Sequence, residues 1–153
     1  MTSLNESNMT HQHNTASGGN QEFLFPVRVY YEDTDAGGVV YHANYLRFME
    51  RARTEWLRQH GFELDQLAND PGIIFVVGHI DIQYRKAARF NDELCVVTSI
   101  QKLGHASLVF AQAIYRVGDE RELLTSSTVK VVCVRLDTFR STPIPTAIRE
   151  TFQ

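Results

Sequence analysis

The chain has 153 residues, a length that suits one domain with a real buried core. Apolar residues make up 43 % and charged residues 22 %, as in an ordinary globular domain, and no apolar run approaches the roughly 20 residues that cross a bilayer. The net charge of −3 and the pI near 6.0 argue against nonspecific nucleic-acid binding, so no nucleic-acid partner is expected.

Met1 to Gln21 are rich in Asn, Ser, Thr, Gln, His and Gly and nearly devoid of apolar residues. Such a segment cannot bury enough surface to offset its ordering entropy, so residues 1–21 are predicted to be a disordered tail and residues 22–153 the single domain. His11 and His13 in that tail need no structural explanation. Nothing at the N-terminus has the charged start and apolar stretch of a signal peptide.

A first strand is expected over Phe25 to Tyr31. Glu32, Asp33 and Asp35 follow it directly, and Ala36-Gly37-Gly38 make a loop too flexible to continue a strand. A helix is predicted from Ala43 to His60, with Gly61 as its stop. Tyr45, Phe48, Met49, Ala52 and Trp56 recur at three-to-four spacing and make one apolar stripe, while Arg51 and Glu55 stand four apart and can pair. Leu64 to Gly72 reads as a connector. Four strands then follow, Ile73 to Tyr84, Glu93 to Lys102, Ser107 to Val117 and Leu123 to Leu136, separated by turns such as Leu103-Gly104-His105 and Gly118-Asp119-Glu120. Pro143 and Pro145 suggest an irregular ending. Cys95 and Cys133 lie inside strand-like runs, as unpaired core thiols of a reducing compartment do, and a cytoplasmic protein is expected.

One helix followed by hairpin-linked strands predicts an α+β domain, a five-stranded antiparallel sheet wrapped around one long helix. A single helix leaves sheet edges uncovered, so self-association is expected.

Within this pattern, residues 29–45, Val-Tyr-Tyr-Glu-Asp-Thr-Asp-Ala-Gly-Gly-Val-Val-Tyr-His-Ala-Asn-Tyr, stand out. A carboxylate facing the free amides of a helix start can attack, or activate a water, while those amides hold an oxyanion. With Phe48-Met-Glu-Arg-Ala-Arg-Thr-Glu55, Tyr84-Arg-Lys-Ala-Ala-Arg-Phe-Asn-Asp92, Leu103-Gly-His-Ala-Ser107 and Val129-Lys-Val-Val-Cys-Val134, the chain resembles acyl-CoA thioesterases of the 4-hydroxybenzoyl-CoA thioesterase type, in particular their Tol–Pal-associated (YbgC-type) branch. The resemblance covers about residues 25 to 150. It implies the hotdog fold and hydrolysis of an acyl-CoA thioester to a carboxylic acid and free CoA, with no cofactor beyond the CoA of the substrate. Lys86-Ala87 depart from the branch, which usually has a proline before Ala-Arg.

Asp35 matches the catalytic carboxylate of the family, as nucleophile or general base. The alternative is an Asx-turn aspartate that shapes the loop. Asp33 is expected to bond loop amides. The resemblance gives the His42 N–H to the thioester carbonyl and its imidazole to water or the leaving thiolate. Tyr31 and Tyr41 flank the loop, as acyl-tunnel or core residues. Arg85, Lys86 and Arg89 suit the CoA phosphates, with His105 and Ser107 as further contacts; solvated strand ends are the plainer reading of each. Glu32, Asp33, Asp35 and His42 lack the spacing of a known metal motif, so no metal is expected. A homodimer or homotetramer with a shared site is implied, and acyl carrier protein is a further candidate partner. Two other classes remain: a hotdog dehydratase, whose motifs differ from this loop, and a non-catalytic module that binds acyl-CoA or acyl carrier protein at membrane-associated lipid machinery.

Overall fold

A computed structural model describes residues 21–153. The tail expected over residues 1–21 lies outside the described residues except for Gln21, whose Nε2 donates to the Thr151 carbonyl at 3.3 Å.

The elements are β1 (Glu22–Arg28), a 3₁₀ turn (Tyr31–Asp33), α1 (Asn44–Gln59), α2 (Leu64–Asn69), β2 (Ile73–Tyr84), β3 (Glu93–Leu103), β4 (Ser107–Arg116), β5 (Glu122–Arg135) and α3 (Thr146–Phe152). The five strands form one antiparallel sheet in the order β1-β3-β4-β5-β2. β1 and β2 thus sit on opposite edges, and α1 carries the chain between them. Five strands at about 4.8 Å spacing put the edges about 19 Å apart. The 16-residue α1 is about 24 Å long, enough to cross that face.

The apolar stripe of α1 is buried as its spacing requires: Tyr45, Phe48, Met49, Ala52 and Trp56 are all in the core. Under it, Leu108, Phe110, Gln112 and Ile114 alternate inward along β4. The core has two halves. Leu94, Val96, Ile114 and Leu124 lie toward the start of α1, and Leu108, Phe110, Val129 and Val131 toward its end. Between them runs a polar row of register neighbours, Thr98, Gln112 and Ser127. Each of these makes hydrogen bonds, which is what makes its burial tolerable.

Four expectations need correction. β1 begins at Glu22 and ends at Arg28, because the Asp33 carboxylate captures the Tyr30 N–H and turns the chain. The connector contains α2, whose Leu64 and Leu67 pack on the core. The C-terminus is helical: Pro145 precedes the first turn of α3, a position where proline fits, and Ile148 and Phe152 are buried four apart, Phe152 edge-on to Trp56. Glu55 pairs with Arg58 instead of Arg51, whose guanidinium sits 5.9 Å from the centre of the Phe48 ring.

Candidate active site

The acidic loop is a tight hairpin. Thr34 bridges Val40, the Asp35 N–H donates to the Val39 carbonyl at 2.9 Å, and the Tyr41 N–H donates to the Asp33 carbonyl at 2.8 Å. Asp35 therefore faces the returning strand three residues before His42. Asp35 Oδ1 accepts from the Gly37 N–H at 2.8 Å, an Asx turn. A Cβ on Gly37 would stand 3.2 Å from that oxygen, and Gly38 has φ +78°, so both positions favour glycine. The Asx-turn reading of Asp35 is therefore correct as geometry. It does not use up the carboxylate. Asp35 is exposed, and Oδ2 has no protein partner among the described residues.

The two aspartates do different work. Asp33 is buried, its Oδ2 accepting from the Tyr30 N–H at 2.8 Å and its Oδ1 from Asn44 Nδ2 at 2.9 Å. It pins the loop to the first residue of α1.

At the helix start, the Asn44 N–H donates back to the Tyr41 carbonyl, but the His42 and Ala43 N–H groups have no acceptor among the described residues. These are the donors that a helix N-terminus leaves open, at the positive end of the macrodipole. The His42 carbonyl accepts from the Tyr84 hydroxyl at 2.9 Å, and the His42 ring lies 4.5 Å from that of Tyr41. The Tyr45 hydroxyl accepts from the Ala88 N–H at 3.0 Å, and the Val40 N–H donates to the Ala88 carbonyl at 2.8 Å. Burial pushes the Tyr45 and Tyr84 phenols up, so both hydroxyls stay protonated. Tyr84, Asn44 and Ala88 are the supports that sequence reasoning missed. Each acts across many intervening residues, with no local signal.

The cations divide. Arg85 follows Tyr84 directly, and Arg89 bridges Val39 of the loop. Neither has an ion pair among the described residues; Arg85 reaches only the Gln83 amide oxygen, at 3.3 Å. Lys86 is engaged by Glu122 at 3.4 Å, beside Arg116, which also holds Asp92 and the Ala87 carbonyl. His105 and Ser107 are elsewhere. Ser107 is level with Val132 of β5, whereas Tyr84 is level with Thr125, about 23 Å away at 3.3 Å per residue. The His105 carbonyl is taken by Ile144 and Arg149. The fold of one chain does not bring these two residues to the loop. Tyr31 and Tyr41 are not core residues: Tyr31 is 77 % exposed against Phe90, and Tyr41 is 46 % exposed. Among the described residues no group of three or more His, Cys, Asp or Glu is placed to hold a metal ion.

An amphipathic helix whose apolar stripe is cradled by an antiparallel sheet, with an acidic hairpin at the helix start, is the hotdog architecture of thioesterases. The chain belongs to the thioesterase superfamily, whose family model matches residues 37–122. It is 45 % identical over 130 residues to the acyl-CoA thioesterase YbgC of Haemophilus influenzae, covering 85 % of this chain and 93 % of the relative. It is 51 % identical over 112 residues to the acyl-CoA thioester hydrolase YbgC of Escherichia coli O6:H1, covering 73 % and 81 %. Its fold matches that of a 4-hydroxybenzoyl-CoA thioesterase in complex with 4-hydroxybenzoyl-CoA, at a TM-score of 0.81, 19 % identity and coverage of 86 % and 99 %.

Proposed function

We propose that this chain hydrolyses acyl-CoA thioesters at the acidic hairpin, with Asp35 as the catalytic carboxylate. The observation that carries the reading is an exposed carboxylate, held by one oxygen and without a partner at the other among the described residues, in the hairpin that leads into amides at the start of α1 that likewise have no acceptor among those residues. The names of the relatives at 45 % and 51 % identity support the substrate class.

Two routes fit. In one, Asp35 Oδ2 attacks the thioester carbon, the C–S bond breaks, the CoA thiolate leaves, and water hydrolyses the mixed anhydride. In the other, Asp35 takes a proton from a water that attacks the thioester carbon directly, the C–S bond breaks, and the CoA thiolate leaves and is protonated to the thiol. In both, negative charge builds on the carbonyl oxygen, and the His42 N–H is the donor proposed to receive it. The His42 imidazole is proposed to orient the water or the leaving thiolate. Tyr31 and Tyr41 border the acyl group. Arg85 and Arg89 take the CoA phosphates; Lys86 has a lesser share because Glu122 already engages it.

The working unit is proposed to be a homodimer or a pair of dimers. β2 is an edge strand, with Val77 48 % exposed on it, and edge strands invite pairing. His105 and Ser107 reach a nucleotide only if a second copy supplies them. Cys95 and Cys133 are buried and unpaired, which supports a reducing, cytoplasmic setting. Among the described residues no helix is long and apolar enough to cross a membrane. Free-thiol release from a panel of acyl-CoA and acyl carrier protein thioesters tests the activity and separates it from a binding module. No release from any acyl-CoA, by folded protein, rules out the proposal.

A further inference from the structure

The face of α1 that carries Glu50, Arg53 and Leu57 meets Phe75 of β2 and Phe110 of β4 across a cavity of about 240 Å³. Among the described residues, Arg53 is the only cation lining it. Its guanidinium makes one hydrogen bond among those residues, from Nη1 to Gln112 Oε1 at 2.9 Å. Gln112 is locked in that orientation, since its Nε2 donates to the Met49 carbonyl at 3.0 Å and to Thr98 Oγ1 at 2.9 Å. Its oxygen alone is left for Arg53, and that acceptor is neutral.

Arg53 has no carboxylate partner among the described residues, and neither do Arg47, Arg51, Arg85 and Arg89; those four are exposed to water, whereas Arg53 is half-buried. The only buried side-chain N or O without a partner among those residues is Thr125 Oγ1. The other Arg53 donors therefore reach accessible space, and the cavity supplies it. Burial pushes the guanidinium down, with Glu50 opposing. A half-buried guanidinium with its fork unfilled is completed best by a carboxylate, which it can hold with two parallel bonds.

The same helix face runs on toward the loop past Glu50, where the lining of the cavity ends. Steps of three or four residues from Glu50 give Leu46 and then Ala43, beside His42. Arg53 is about 16 Å beyond His42 along the axis, and its side chain leans back toward the helix start. The cavity has room for about eight water-sized groups at ~30 Å³ each, and a six-carbon dicarboxylic acyl group has about seven heavy atoms beyond its thioester carbonyl.

We propose that Arg53 reads the far end of the acyl group, so that the cavity favours acyl-CoA thioesters with a distal carboxylate. This rests on the acyl-CoA reading above. Two non-hydrolysable thioethers, S-(5-carboxypentyl)-CoA and S-hexyl-CoA, test it by calorimetry on the full chain. The native protein should bind the carboxylate about ten- to a hundred-fold more tightly, the range of a charged hydrogen-bonded pair. Arg53→Met should erase that ratio, Arg53→Lys should keep part of it, and Glu50→Gln should widen it by removing a like charge at the mouth. Arg53→Gln serves if Arg53→Met does not fold. Equal affinities in the native protein, as when a carboxylate of a second copy fills the cavity, overturn the inference. So does a preference that survives removal of the Arg53 charge. Failure of both thioethers to bind strikes the acyl-CoA reading itself, and this inference with it.

Discussion

Asp35→Asn separates chemistry from architecture at the loop. The asparagine oxygen keeps the bond from the Gly37 N–H, and the new NH₂ falls where Oδ2 has no partner among the described residues. The site is exposed, so the stability cost should stay within about 0.5 kcal/mol. For a chain of this size that shifts the melting temperature by less than about 2 °C. The amide can neither attack a thioester nor take a proton from water. Loss of a positioned base costs about 10²–10⁴ in rate, or about 2.7–5.5 kcal/mol of barrier, and loss of a nucleophile costs more. Thiol release under saturating acyl-CoA, run beside a thermal melt, reads both quantities. Turnover within a few-fold of the native protein would refute Asp35 as the catalytic group. A melt depressed by many degrees would refute the view that it is chemically, not structurally, important.

Asp33→Ala should show the reverse pattern, because it strips two charge-assisted hydrogen bonds and leaves the Asn44 amide unpaired. A loss of about 2–4 kcal/mol by denaturant titration is expected. Tyr84→Phe removes only the bond to the His42 carbonyl, so stability should fall by about 0.5–1.5 kcal/mol while kcat drops with little change in KM. Arg85→Ala and Arg89→Ala should raise KM for CoA thioesters and spare short thioesters without a nucleotide. Lys86→Ala should do less, since Glu122 already holds that ammonium; equal effects on both substrate types would remove these residues from the CoA site. Deleting residues 1–20 should leave melting and turnover unchanged, because the segment's composition gives it almost nothing to bury.

Whatever depends on neighbours in the chain could be read from the sequence. The stripe from Tyr45 to Trp56 has the helical period and only one way to be buried, so α1 appears within one residue of its predicted ends. The long alternating runs gave the strands, and the turns between them gave the antiparallel hairpins from β3 to β5. Asp35 and Gly37 are two apart, so their turn is local too. Where competition was remote, local rules failed. The C-terminal prolines punctuate a helix because Ile148 and Phe152 find Trp56, a partner supplied by the fold. The distribution of tasks within the site also belongs to the tertiary structure. By residue type Asp33 and Asp35 are alike, and in the sequence only the family resemblance separates them; the physical reason is tertiary, since the Tyr30 N–H and the Asn44 amide make Asp33 a buried clamp while Asp35 stays exposed. Tyr84 stands 42 residues from the carbonyl it holds, and Gln112 stands 59 from Arg53. Sheet register carries Arg85 and Arg89 to the loop and His105 and Ser107 to the far end. That outcome is set by which strands pair, and pairing is decided by burial across the whole sheet.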